Sequence, residues 1–138
     1  MTSWKHGAFY WNELLTNDVD AARDFYVGVL GWTFDEMAMS DGSTYWVAMH
    51  GEQPLAGIMA MPSHIPAGTP AHWLSYIAVD NIDSRLAQAK AAGAMVMREP
   101  FDISGVGRIA ILQDAGGAVV GWITPASESP SESPSESQ

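Results

Sequence analysis

Glu13 is an acidic residue inside an otherwise apolar run, and it alternates with Trp11 and Leu15. A carboxylate on that side of a strand, among aromatic rings, resists ionisation through desolvation and can act as a general base. The same pattern also suits a carboxylate held by backbone N–H groups or an arginine, or one at a dimer seam. His72 stands two residues before Leu74, so the two share a strand face. It is a candidate metal ligand or base, and equally a polar group at a strand end or on the surface. Arg108 follows Gly105-Val106-Gly107. Its rigid fork could grip a carboxylate ligand or pair internally with Asp102 or Glu13. His6, His50 and His64 fall in a terminus, beside a turn and in a linker, and no two of the four histidines have His-x-His or His-x3-His spacing. Ser43 and Ser104 have no His and Asp partners arranged as a hydrolase triad. There is no cysteine, which removes thiolate metal sites, iron–sulfur clusters and a cysteine nucleophile. The glycines form neither G-x-x-x-x-G-K nor G-x-G-x-x-G, so a phosphate loop is excluded.

The largest signal is aromatic and thioether. Trp11, Tyr45, Trp46, Trp73, Tyr76 and Trp122 occur with Met37, Met39, Met49, Met59 and Met61, all in strand-like runs or at their ends. Alternation sends about half of such residues inward. Such surfaces suit flat or irregular organic molecules. They serve equally well as core and as dimer interface.

These residues need elements to position them. Residues 8–16 read as a strand, and 19–30 as a helix with Val19, Ala22, Phe25, Tyr26, Val29 and Leu30 on one face. Asn17 or Asp18 caps that helix and Gly31 ends it. Extended runs follow at 32–39, 44–49 and 55–61, with turns at Asp41-Gly42 and 51–54. The stretch 62–70, PSHIPAGTP, is a linker. The order then repeats: a strand at 72–79, a helix at 82–92 capped by Asp80-Asn81 and ended by Gly93, and strands at 94–100, 107–113 and 118–124. Asn17-Asp18-Val19-Asp20 and Asp80-Asn81-Ile82-Asp83 match 63 positions apart. A duplicated βαβββ unit follows, with module 1 at about 8–61 and module 2 at about 71–125 within a single domain, 1–125. Helices covering one face of antiparallel strands make this an α+β fold, with eight strands around a cleft.

At 138 residues the chain fits one domain. Six Lys and Arg face sixteen Asp and Glu, a net charge of -10, and the basic residues are scattered. That disfavours nucleic acid and anionic membrane surfaces as partners. No run reaches a membrane span, and the first residues show no signal peptide, so a cytoplasmic location is expected. The final SESPSESPSESQ cannot bury enough apolar surface to order itself, so 126–138 is expected to be a disordered tail.

Two segments, WNELLTNDVDAARDFYVGVLGW and GRIAILQDAGGAVVGW, resemble the opening and closing motifs of the vicinal-oxygen-chelate superfamily of glyoxalases, bleomycin-resistance proteins and dioxygenases. With HWLSYIAVDNIDSRLAQAKAAGA the resemblance spans residues ~8–125 and is nearest to a glyoxalase-like branch. It implies paired βαβββ modules, a U-shaped cleft and, in the enzymes, a divalent metal held by His, Glu or Gln on the first and last strand of each module. Carried over by position, those places hold Trp11, Met59, Leu74 and Gly121. None suits a hard cation. No cofactor is therefore expected, and a divalent ion would need other ligands.

Three functions stay open. The first is binding of a small aromatic or hydrophobic molecule without metal, with Trp11, Trp46, Met59, Leu74, Tyr76 and Trp122 as contacts. The second is a metal-independent or atypical-metal lyase or isomerase using Glu13, His72 or Arg108. The third is an interaction or structural role with a filled cleft. Relatives of one module pair often dimerise, so a homodimer is expected.

Overall fold

The computed structural model describes residues 4–63 and 65–126. His64 and the expected tail from 127 onward lie outside them. Ten elements run in the order β1 (Phe9–Thr16), α1 (Val19–Leu30), β2 (Thr33–Ala38), β3 (Thr44–His50), β4 (Gln53–Ala60), β5 (His72–Ala78), α2 (Ile82–Ala91), β6 (Met95–Ile103), β7 (Gly107–Gln113) and β8 (Val119–Pro125). This is the expected βαβββ order, twice, in an α+β fold. Among the described residues, no helix is long and apolar enough to cross a membrane.

The chain divides into two compact units. The first comprises Trp11–Leu74. Its strands lie in the order β2-β3-β4-β1, with β2, β3 and β4 antiparallel and β4 parallel to β1. Asp18 caps α1 by accepting the Ala21 N–H at 3.0 Å. Gly31 ends it in the left-handed region, at φ 75°, where its own N–H reaches back to Val27. The sheet side of α1 carries Tyr26, which stacks on Trp32 and meets Trp73 edge-on.

The face expected to pack inward is broader than the face that does. Phe25, Val29 and Leu30 are all more than half exposed, and α1 has no fully buried residue. At 100° per residue, Phe25 and Val29 turn roughly 90–130° from the line of Val19, Arg23 and Tyr26, with Ala22 at the edge between them.

The second unit comprises the described residues up to 10 and those from 75 onward. Its strand order is β5-β8-β7-β6, with β5 and β8 parallel and the rest antiparallel. Asn81 caps α2 by accepting the Ser84 N–H. A buried cluster of Val79, Ile82, Leu86, Ala110 and Leu112 fixes α2 on β7 and β8. β6 runs past Pro100, where the sequence suggested a stop. Register shifts on either side of Arg98 absorb the missing N–H donor of the proline.

Candidate functional site

Alternation along β1 gives Trp11, Glu13 and Leu15 one face and Leu14 and Thr16 the other. Pairing with β4 sets Glu13 opposite Gly57 and Leu15 opposite Met59. Pairing of β3 with β4 sets Val47 opposite Gly57. Tyr45, two residues before Val47, therefore rises on the same face. Its ring crosses β4 at Gly57, where a Cβ would coincide with the phenol end of the ring. Only a residue without a side chain leaves that path open.

Having crossed β4, the Tyr45 hydroxyl meets β1. The Trp11 indole N–H donates to Tyr45 Oη at 2.8 Å. Burial pushes the Tyr45 ionisation far above the ordinary phenol range. The charge of Glu13, and the hydrogen bond linking the hydroxyl to it, push the same way, while the Trp11 bond opposes them. The Tyr45 hydroxyl thus stays protonated, accepting a hydrogen bond from Trp11 and donating one to Glu13.

This trio lies on the side of the sheet away from α1. The neighbour of Tyr45, Trp46, faces the other way, with the Arg23 guanidinium of α1 3.8 Å from its ring centroid. Met37 pairs with Tyr45 across β2 and β3 and is 45% exposed. The half-buried Met59 shares the trio's sheet face.

In the second unit Tyr76 plays a related part. It pairs with Gly121, and a Cβ at Gly121 would fall on its ring. Leu74, two residues earlier on β5, has the same strand parity, and both side chains are buried. Trp122 turns to the opposite face and packs on the α2 cluster. Arg108 also belongs to the α2 side. Its Nε and Nη2 reach Asp83 at 3.1 and 3.2 Å, and its Nη1 reaches Asp102 at 3.0 Å. Its bonds to Asp83 and then Asp102 hold it more firmly in the charged form. His72 lies at the start of β5 with Nδ1 2.9 Å from the Pro70 carbonyl, which requires a proton on that nitrogen.

Of the residues singled out in the sequence, Trp11, Glu13 and Met59 come together. Trp46, Trp122 and Arg108 occupy helix-covered faces. Tyr45 joins the site as its central member, although the sequence marked it only as one of many aromatics. A signal for it existed: Gly57 interrupts an apolar strand without a turn, which marks a close approach of another group.

The four positions at which the resemblance places metal ligands offer an indole, a thioether, an isobutyl group and a bare Cα. The Trp11 N–H is given to Tyr45, and the Tyr76 ring fills the space above Gly121. This donor set does not fit a hard divalent cation. Among the described residues, no three His, Asp or Glu side chains gather as a metal-sized group.

The profile of the Glyoxalase/Bleomycin resistance protein/Dioxygenase superfamily matches residues 9–121. The "Putative glyoxylase CFP32" of Mycobacterium tuberculosis (strain CDC 1551 / Oshkosh) is 42% identical over 120 residues, covering 87% of this chain and 45% of that protein. The "Anthracycline biosynthesis protein DnrV" of Streptomyces peucetius is 34% identical over 131 residues, covering 86% of this chain and 47% of that protein. The chain thus spans about half the length of the curated relatives it matches. Among solved structures, methylmalonyl-CoA epimerase from Mycobacterium tuberculosis superposes with a TM-score of 0.65 at 17% identity, covering 92% of this chain and 94% of that one. At that identity the likeness concerns the fold. The duplicated strand–helix–strand order and the profile match over most of its length agree: the chain belongs to the Glyoxalase/Bleomycin resistance protein/Dioxygenase superfamily.

Proposed function

We propose that this chain binds a small, planar, largely apolar organic molecule on the Trp11, Glu13, Tyr45 and Met59 face, without a divalent cation at the superfamily's usual place. The observation that carries the reading is the Trp11–Tyr45–Glu13 set, standing where the resemblance puts the first metal ligand. An indole, a phenol and a thioether supply flat and deformable contact surface. The name of DnrV ties that relative to anthracycline biosynthesis. This supports a planar aromatic ligand.

A second reading is favoured by Glu13 alone. A half-buried carboxylate beside a phenol could take a proton from a bound molecule, giving a metal-independent lyase or isomerase. Arg108 and His72 are engaged elsewhere, so Glu13 would act without them.

The active form is a homodimer in this proposal. Ala21, Phe25, Gly28 and Val29 form an outward apolar stripe on α1, and Gly28 has nothing within 4 Å of where its Cβ would be. A mid-helix glycine costs about 1 kcal/mol relative to alanine. A second copy packed closely on α1 would account for it.

The test is equilibrium dialysis against naphthalene-2-sulfonate and anthraquinone-2-sulfonate, with and without EDTA. Saturable binding is expected, unchanged by EDTA and weakened about tenfold, or ~1.4 kcal/mol, by Trp11→Ala. Failure of both probes to bind, or loss of binding in EDTA, would overturn it.

A further inference from the structure

We propose that Tyr45 is the specificity-determining residue of this site, fixing the Glu13 carboxylate so that it selects planar ligands bearing a hydrogen-bond donor. The inference rests on the binding role proposed above and names its ligand class. It grows from three features of the first unit.

The first is the route of the side chain. Tyr45 arises on β3, yet its hydroxyl acts on β1, one strand beyond its neighbour, and Gly57 opens the way. A ring used only as apolar filling would have no need to end on two polar groups of β1.

The second is the division of labour at the hydroxyl. It receives the Trp11 N–H at 2.8 Å and is hydrogen-bonded to Glu13. A hydroxyl has one proton to give. With that proton committed to Glu13, Tyr45 acts on a ligand through the carboxylate it positions. The Trp11 bond in turn fixes where the Tyr45 hydroxyl oxygen sits.

The third is the chemistry of Glu13. An ionised carboxylate only accepts hydrogen bonds, about four in all. Accepting the Tyr45 hydroxyl and accepting a donor from a ligand are therefore compatible. A half-buried acceptor beside an indole and a thioether rewards a phenol or amine and penalises a group that only accepts, because the carboxylate would be desolvated without return. Sites that hydrogen-bond a substrate hydroxyl discriminate strongly against analogues lacking the proton, whereas apolar contacts alone discriminate weakly.

Three probes of equal charge and nearly equal shape separate these effects: naphthalene-2-sulfonate and its 6-hydroxy and 6-methoxy derivatives. Equilibrium dialysis of the wild type should show the hydroxy compound binding at least about tenfold more tightly than the methoxy compound. Tyr45→Phe keeps the ring over Gly57 and removes only the proton donor. It should reduce the hydroxy-to-methoxy ratio to under about threefold, a comparison made within the variant and so independent of any change in its overall affinity. Glu13→Gln, which leaves Tyr45 intact, should collapse the same ratio and serves as a second variant should Tyr45→Phe fold poorly. A ratio near one in the wild type, or a ratio unchanged in both variants, would overturn the role of Tyr45 and Glu13 while the binding function stood. Binding of none of the three probes would overturn the function itself and this inference with it.

Discussion

Adding a methyl group at Gly57 would place it on the phenol end of Tyr45. Gly57→Ala should therefore drive the ring off β4 and separate it from Trp11 and Glu13. The expected cost is about 1–3 kcal/mol, the usual range for overpacking, read from urea denaturation. Most of that loss should disappear in a Tyr45→Ala background, because the two positions compete for one space. The site shows how far single residues could be read in the sequence. Trp11 and Glu13 follow from strand alternation, which is local, and the structure keeps them on one face. Tyr45 depends on register across two strands, which no local pattern records. Trp46 and Trp122 have the right chemistry, but their parity turns them toward α1 and α2. Of the partners the sequence offers Arg108, Asp102 or Glu13, it bonds Asp102; Asp83, which takes two of its bonds, lies on α2 and is adjacent only through tertiary packing.

At the level of elements, the start of α2 is clasped by Asp80. Its carboxylate takes Arg85 Nε at 2.9 Å and Nη2 at 3.0 Å, as well as the Asn81 N–H, while its backbone N–H donates to His6 Nδ1. The Arg85 hydrogen bonds are the chief cause that holds its ionisation at about 2. That lies below the ordinary aspartate value of about 3.9. A depressed folded value contributes stability above pH ~4 that is lost as the pH falls toward 2. Asp80→Asn should lower the melting temperature at pH 7, and the gap to wild type should close as both are melted at pH 4, 3 and 2. A constant gap would show that the clasp acts through shape alone. Helix caps were legible in the sequence because a cap needs only a side-chain oxygen at the right offset, as Asp18 and Asn81 supply. The outward part of α1 was not. Apolar residues at three- and four-residue spacing report a helix, yet they do not say whether the chain itself covers all of them. In this unit Phe25 and Val29 stay in water.

For the whole molecule, the exposed stripe of α1 makes the oligomeric state the quantity to measure. Phe25→Asp places a charge on each side of a two-fold contact, where it would be repeated and desolvated. Sedimentation equilibrium should find a dimer for the wild type and a monomer for this variant, with the monomer's far-ultraviolet dichroism unchanged. A wild-type monomer, or a variant that still dimerises, would remove α1 from the contact. The curated relatives have roughly one further length of this chain in a single polypeptide. Over the described residues the element order itself was readable, since duplication writes the same order twice and turn glycines punctuate both copies.

The ring of Tyr76 over Gly121 bears on how such a sequence can change over generations. Position 121 is one of the four places where the superfamily resemblance puts a metal ligand. A glutamate arriving there by a single mutation would meet the Tyr76 ring before it met any ion. A smaller residue at 76 arriving first would leave a hole with nothing to fill it. Each step is harmful alone, so the two substitutions are epistatic. For a carboxylate to stand at position 121, both residues of this pair would have to change.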